Sequence, residues 1–145
     1  MSTYDYDLIF QGEKPEFGGQ VLQQLIGQNY QTHDELYSPH QVFVLVNDQW
    51  WRLFVDGPML YMQRWEKAPE AWAVPEDQMF WSLRDLGREL NIRGEMLSGW
   101  FYGQRNRAPA LSLNFESGLQ ITFFSTDGEH WSTFDVTRWM VSRLT

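Results

Sequence analysis

Residues 42–65, VFVLVNDQWWRLFVDGPMLYMQRW, predict three consecutive antiparallel strands. Apolar and β-branched runs are separated at Asn47-Asp48 and at Asp56-Gly57-Pro58, which are residue types typical of tight turns. The first run is apolar at successive positions, so both faces of the sheet are expected to be covered, one by helices and the other by further chain or by a partner. Trp50 and Trp51 are neighbours in a strand and point to opposite faces, which places at least one of them outside the main core.

The rest of the chain predicts one more hairpin and some shorter pieces. Residues 110–124 alternate apolar and polar side chains on either side of Ser117-Gly118, as two paired strands do. Residues 5–10 are consistent with a short edge strand, and residues 95–103 fit a helix and a strand equally well. Residues 67–75 carry two prolines and predict a long loop that packs onto the domain.

Three helices are predicted from apolar residues spaced three or four apart. They cover about residues 15–30, about residues 76–90, where an acidic first turn follows a proline, and residues 136–144 near the carboxyl end. The sequence therefore predicts an α+β fold, an antiparallel sheet of about five or six strands with two or three helices packed on one face. Residues 1–145 are expected to form a single globular domain.

The composition is globular and excludes several kinds of function. With 145 residues, 43% of them hydrophobic and 21% charged, the chain is long enough to bury its own core. It has no cysteine, which excludes a disulfide framework, a thiolate metal site and a cysteine nucleophile. The first residues lack the basic and apolar segments of a secretory signal, and no apolar run reaches the length of a membrane span. We therefore expect a cytoplasmic bacterial protein that does not bind membranes.

The charge is strongly negative and unevenly distributed. Eleven Lys and Arg against nineteen Asp and Glu give a formal net charge of −8. Residues 1–48 contain seven of the acids and a single base, so most of the excess lies in the first third of the chain. Such a charge repels nucleic acid and attracts basic proteins. It is also compatible with solubility alone.

Motifs for catalysis or for a cofactor are missing. No phosphate-binding glycine loop, GxSxG or HExxH motif occurs, so no catalytic residues and no cofactor are predicted. His33 and His40 lie close to two carboxylates, but their spacing matches no closed zinc site, so no metal is predicted either. Residues 100–107 contain three aromatic residues followed by two arginines. This combination suits single-stranded nucleic acid, but it suits an aromatic strand that ends in a solvated turn better.

Aromatic residues suggest two kinds of binding site. Five of the eight tryptophans could line a ligand pocket or build a core of large rings: Trp50, Trp51, Trp65, Trp81 and Trp100. Four of the six tyrosines lie in the acidic third, where tyrosine rings would anchor a contact and carboxylates would attract a basic partner. The predicted partner-binding residues are Tyr4, Asp5, Tyr6, Asp7, Tyr30, Asp34, Glu35 and Tyr37.

These observations favour a small acidic binding protein, not an enzyme, which neutralises a basic protein partner as a monomer or homodimer. The most concrete form is an immunity protein that sterically blocks a secreted bacterial toxin, such as a nuclease, which must be basic to grip a phosphate backbone. One alternative is an acidic secretion chaperone, because the predicted α-βββ-α-ββ-α order is similar to that of the small dimeric chaperones of type III secretion. A second alternative is a small-molecule-binding domain or enzyme with a tryptophan-lined pocket.

Overall fold

Strands make up almost all of the secondary structure in a computed structural model of the chain, which describes residues 9–138. The strands are β1 (Ile9–Gly12), β2 (Leu22–Gln31), β3 (Leu36–Val46), β4 (Gln49–Asp56), β5 (Met59–Trp65), β6 (Trp72–Val74), β7 (Met79–Asp85), β8 (Leu97–Arg105), β9 (Ala108–Phe115), β10 (Leu119–Phe124) and β11 (Thr133–Arg138). The described part of the chain has one short α-helix, α1 (Leu86–Glu89), and one 3-10 turn (Pro75–Asp77). The predicted α+β fold is therefore wrong: the fold is mainly β.

The strands form two sheets that share one core. The large sheet has seven strands in the order β1-β5-β4-β3-β2-β7-β6, and the small sheet has four in the order β11-β10-β9-β8. Neighbours are antiparallel in both sheets except β1 and β5, which are parallel. The core contains fully buried residues from both sheets, among them Val44 and Leu53 from the large one and Leu113 and Ile121 from the small one. This arrangement is a β-sandwich.

The predicted hairpins are confirmed. The stretch 42–65 supplies the last five of the eleven residues of β3 and all of β4 and β5, joined by the two turns expected from its sequence. Residues 110–124 form most of the β9–β10 hairpin. Trp50 and Trp51 lie on opposite faces, because Trp51 packs edge-on against Phe17 in the core while Trp50 lies outside it.

The helix predicted over residues 15–30 is wrong, since residues 22–31 form a strand that pairs with both β3 and β7. The reason is a β-bulge, an extra residue that shifts the register between Leu22 and Gln24. The bulge lets Leu22 and Leu25 both face the core, although they are three residues apart. Their spacing therefore resembles that of a helix.

The helix predicted over residues 76–90 is wrong in most of its length. The segment divides into the 3-10 turn, strand β7 and the single helical turn α1. Leu83 is 40% exposed and does not reach the core, whereas Leu86, which comes later in the pattern, is fully buried there. β7 is a strand because it pairs with residues 26–31 of β2, and this pairing outweighs the helical spacing of its apolar residues.

The remaining expectations concern one ambiguous stretch and the two ends of the chain. The stretch 95–103, which fitted either element, is mostly in strand β8. Val136, expected in a carboxyl-terminal helix, lies in β11, and residues 139–144 of that helix lie outside the described residues. The edge strand expected at residues 5–10 lies partly outside the described residues, and its described residues, Ile9 and Phe10, begin β1.

Further chain, and not a set of helices, covers the outer face of the large sheet. Residues 66–71 connect β5 to β6 and so pass over the strands that lie between them. Gln28 of β2 holds this connection by donating a hydrogen bond from Nε2 to the carbonyl oxygen of Glu70 at 3.2 Å. Residues 67–71 of the predicted loop thus pack onto the domain as expected, whereas residues 72–74 form strand β6 and Pro75 begins the 3-10 turn. No helix within residues 9–138 is long and apolar enough to cross a membrane.

Candidate functional site

One end of the large sheet collects most of its acidic turns. The connections β2–β3, β4–β5 and β6–β7 lie at the same end, because each pair of strands is antiparallel. The β10–β11 connection joins them through a hydrogen bond from the Gly57 N–H to the Glu129 carbonyl oxygen at 3.0 Å. We call this region the acidic end, defined by the carboxylates Asp34, Glu35, Asp56, Glu76, Asp77, Asp127 and Glu129.

The carboxylates of the acidic end are not neutralised by basic side chains of the described residues. Among residues 9–138, none of them forms an ion pair with a lysine or an arginine. The ion pairs that these carboxylates form are with histidines, from Asp34 to His33 at 3.3 Å and from Asp127 to His130 at 4.0 Å. Their negative charge is therefore available to a cation from outside.

A group of aromatic rings forms the centre of the acidic end. The centroid of the Tyr30 ring lies 6.2 Å from that of Tyr37 and 4.9 Å from that of Trp81. Strand pairing brings these rings together, since Tyr30 is the partner of Tyr37 in β3 and of Trp81 in β7. Rings fixed in this way offer a large contact area at little entropic cost.

Tyr37 also organises two of the carboxylates. Its hydroxyl lies 2.9 Å from Asp127 Oδ2 and 3.0 Å from Glu35 Oε2, so it donates to one or the other. The bond to Asp127, with burial and the bond to Glu35, raises the pKa of Tyr37 far above its usual value. Burial would raise the pKa of Asp127, but hydrogen bonds from the backbone N–H groups of Glu129 and His130 outweigh it and lower that pKa. Tyr37 thus stays a phenol while Asp127 stays charged.

Two histidines lie beneath these rings. His40 and His130 have ring centroids 4.9 Å apart, and the buried Nδ1 atom of each has no hydrogen-bond partner within residues 9–138. Burial lowers the pKa of His40 to about 4, and charge on His130 and Arg52 acts in the same direction, against the attraction of Asp127. His40 is therefore neutral near pH 7. The described residues contain no group of three or more potential ligands that could hold a metal ion.

Exposed apolar side chains border the acidic end. Leu36 is 60% exposed and Phe80 is 43% exposed, and both are strand partners of Gln31. Trp72, at the edge strand β6, is 52% exposed. Exposed large apolar residues beside charged ones are typical of surfaces that bind proteins.

The structure places half of the predicted partner-binding residues together. Tyr30, Asp34, Glu35 and Tyr37 all lie at the acidic end. The other four predicted residues lie outside the described residues: Tyr4, Asp5, Tyr6 and Asp7.

The other described acids of the first third of the chain lie at the opposite end of the large sheet. Glu13 is paired with Arg64 at 3.0 Å, and Asp48 accepts a hydrogen bond from Gln23 at 2.8 Å. The negative charge of this third is thus divided, and its described part does not form one surface.

Five carboxylates of the acidic end were missed because they come from later in the sequence. They share a signal that was available, since each lies in or beside a turn of the chain: Asp56, Glu76, Asp77, Asp127 and Glu129. Turns of an antiparallel sheet alternate between its two ends, so every second turn shares an end. The strand order needed to use this signal was not known from the sequence.

Two of the five tryptophans predicted to line a pocket lie in one cavity, and the other three do not. Trp65 and Trp81 lie on the outer face of the large sheet and line a cavity of about 380 Å³ together with Trp72. Trp51 lies in the core, and Trp100 donates a hydrogen bond to the Pro15 carbonyl oxygen at 2.8 Å, away from this cavity. We call the cavity the aromatic cleft.

No protein-family model, no curated protein and no solved structure matches the chain. The predicted element order, which is similar to that of the type III secretion chaperones, is not the order of this fold. Two of the predicted helices are replaced mainly by strands, and the described part of the third lies in β11. The chaperone alternative thereby loses the feature on which it rested. The acidic end and the aromatic cleft are therefore the two candidate sites of this fold.

Proposed function

We propose that this chain is a cytoplasmic binding protein that neutralises a basic protein partner at its acidic end. The observation that carries the proposal is the set of carboxylates without a lysine or arginine partner within residues 9–138, gathered from four connections around fixed aromatic rings. The most concrete partner is a secreted bacterial toxin with a cationic cleft, such as a nuclease, for which the chain would be the immunity protein.

Charge and shape would divide the work of binding. The carboxylates would attract the partner and speed its approach, and they would reject acidic proteins. The exposed side chains of Leu36 and Phe80 and the rings of Tyr30 and Tyr37 would supply the apolar contact that holds it. Inhibition would be steric, because a covered cationic cleft cannot reach a phosphate backbone. This function requires no catalytic group.

The test compares two double charge reversals of equal net charge. Asp34→Lys/Glu35→Lys alters the acidic end, whereas Glu16→Lys/Glu116→Lys alters exposed acids elsewhere. We expect the wild-type chain and the control to capture the same basic protein from the native host and to inhibit its activity at an equimolar ratio. The Asp34→Lys/Glu35→Lys variant should raise the dissociation constant by about 10- to 100-fold. Rising salt should lower the association rate of the wild type.

Two results would contradict the proposal. One is a partner that is lost equally from both reversal variants, since net charge and not the acidic end would then govern binding. The other is a complex whose association rate is insensitive to salt. Thermal unfolding of both variants, followed by circular dichroism, checks that each remains folded.

A further inference from the structure

The outer face of the large sheet holds one guanidinium group that has no carboxylate partner. Arg52 of β4 donates a hydrogen bond from Nε to Gln41 Oε1 at 2.7 Å. Its Cζ atom lies 4.2 Å from the centroid of the Phe54 ring and 4.6 Å from that of Trp65. Within residues 9–138, no carboxylate lies within ion-pair distance of Arg52 and no acceptor binds its Nη atoms. The group is thus held in place with two donor atoms unused.

An unpaired arginine in a half-buried position costs free energy. Removal of a guanidinium group from water is unfavourable unless an anion replaces the lost hydration. The two rings beside Arg52 offset part of this cost through cation–π attraction. They do not satisfy the Nη donors, whose planar fork matches the two oxygens of a carboxylate or a phosphate.

Arg52 lines the aromatic cleft, which has flat apolar walls. The rings of Trp72 and Trp81 are stacked at 3.7 Å between centroids and are nearly parallel, at 5°. Trp65 lines the cleft as well, and residues 67–70 of the β5–β6 connection form another side. Large, stacked rings next to few polar groups are typical of small-molecule sites.

The charges that line the cleft favour an anion. Of the residues from 9–138 that line it, Arg52 and Lys67 are cations and Glu70 is the one acid. The protein as a whole carries a net charge of −8, so the cleft has a local excess of the opposite sign. Nonspecific attraction of anions by the molecule is therefore weak, and a bound anion would require this local arrangement.

We infer that the aromatic cleft binds a small ligand that combines an anionic head, a carboxylate or a phosphate, with a flat apolar body. The head would pair with the free Nη atoms of Arg52, and the body would lie against Trp72 and Trp81. Gln28 and Gln41 supply polar side chains in the same cleft, which would orient the ligand. The cleft shares Trp81 with the ring group of the acidic end and meets that end at Trp72. Arg52, which would bind the head, is not part of the acidic end, so ligand binding does not depend on the protein partner.

The test uses three probes of similar shape and different charge. Naphthoate carries a carboxylate, naphthyl phosphate carries a phosphate, and naphthamide is the neutral analogue. In isothermal titration calorimetry we expect at least one anion to bind at least tenfold more tightly than the amide, and the better anion identifies the preferred head group. Arg52→Met should remove this preference. Trp72→Ala should weaken binding of the anions and the amide alike.

Controls separate loss of the site from loss of the fold. Phe101→Ala removes an aromatic ring that is 54% exposed on the small sheet, and it should leave binding unchanged. Arg52→Lys keeps the charge without the fork and should retain part of the preference. Trp72 is half exposed on an edge strand, so Trp72→Ala tests the cleft even if Arg52→Met does not fold. Three results would overturn the inference. The first is equal affinity for naphthoate, naphthyl phosphate and naphthamide, and the second is an anion preference that survives Arg52→Met. The third is no binding of any probe at millimolar concentration.

Discussion

His40 is a titratable residue whose state depends on the packing of the acidic end. It lies among Tyr30, Tyr37 and His130, with ring centroids 5.4, 5.5 and 4.9 Å away. This surrounding removes water from the imidazole, and desolvation disfavours its charged form. Asp127 would favour the charged form, but burial together with the charge on His130 and Arg52 outweighs it.

We therefore expect stability to fall in acid through His40. Its pKa is about 4 in the folded chain, below the model-peptide value of 6.5 that applies when the chain is unfolded. Folding then favours the neutral form, so this contribution is fully present above pH 6.5 and is lost as the pH falls towards 4. The loss is on the order of 3 kcal/mol in the free energy of unfolding. Urea unfolding of the wild type and of His40→Gln at pH 7.5 and pH 4 measures it.

The comparison between variants isolates this histidine from the carboxylates that titrate over the same range. His40→Gln should lose less stability than the wild type between the two pH values. His33→Gln should behave like the wild type, because the His33 side chain is 77% exposed. An equal loss in His40→Gln and the wild type would contradict the prediction.

At the scale of elements, the hairpins within residues 42–65 and 110–124 were predictable, and strands β2 and β7 were not. The stretch 42–65 contains both its strands and its turns, so local sequence is sufficient to predict the end of β3 and all of β4 and β5. β2 and β7 depend on pairing with strands distant in sequence, and a bulge hides the alternation of β2. Spacings of three residues, such as Leu22 to Leu25 or Leu83 to Leu86, then fit a helix better than a strand.

A glycine in β2 shows how closely this strand packs. Gly27 pairs with Val42 of β3 and Arg84 of β7. A Cβ atom at this position would lie 2.9 Å from Pro39 Cβ and 3.3 Å from Leu86 Cδ1. Both neighbours are held by the core, so the strand has no room for a side chain here.

Gly27→Ala should therefore lower the free energy of unfolding by about 1–3 kcal/mol through overpacking. Gly103→Ala is the matched control in β8, because a Cβ atom there meets no atom within 4 Å. The control should be neutral or slightly stabilising, since alanine restricts the unfolded chain. Urea denaturation of both variants measures the difference, and equal stability of the two would show that β2 has space beside Gly27.

At the scale of the whole molecule, the candidate site is assembled by topology. The acidic end draws on residues from Asp34 to Glu129, and no local window of sequence contains more than a few of them. Tyr30, Tyr37 and the acids between them were predictable because they lie within eight consecutive residues of the acidic third of the sequence. The rest of the site and the aromatic cleft were not, since they depend on the strand order and on where the β5–β6 connection crosses the sheet.

The shared core implies that both sheets unfold together. Leu53 of the large sheet and Leu113 of the small sheet are fully buried in the same cluster. The buried Trp131, in the connection before β11, donates a hydrogen bond from Nε1 to the Leu53 carbonyl oxygen at 3.2 Å and so ties the two sheets. A domain of this size with one core is expected to unfold in a single cooperative step.

Leu113→Ala should therefore reduce the stability of the large sheet as much as that of the small one. Loss of the buried side chain should lower the free energy of unfolding by about 2–5 kcal/mol. Native-state hydrogen exchange followed by NMR reports this free energy separately for the amides of β3 and of β9. Leu53→Ala, the reciprocal change in the large sheet, should lower the protection of β9 as well. If either substitution affected only the slowest amides of its own sheet, the two sheets would be separate cooperative units, and the cleft and the acidic end would no longer share the stability of one core.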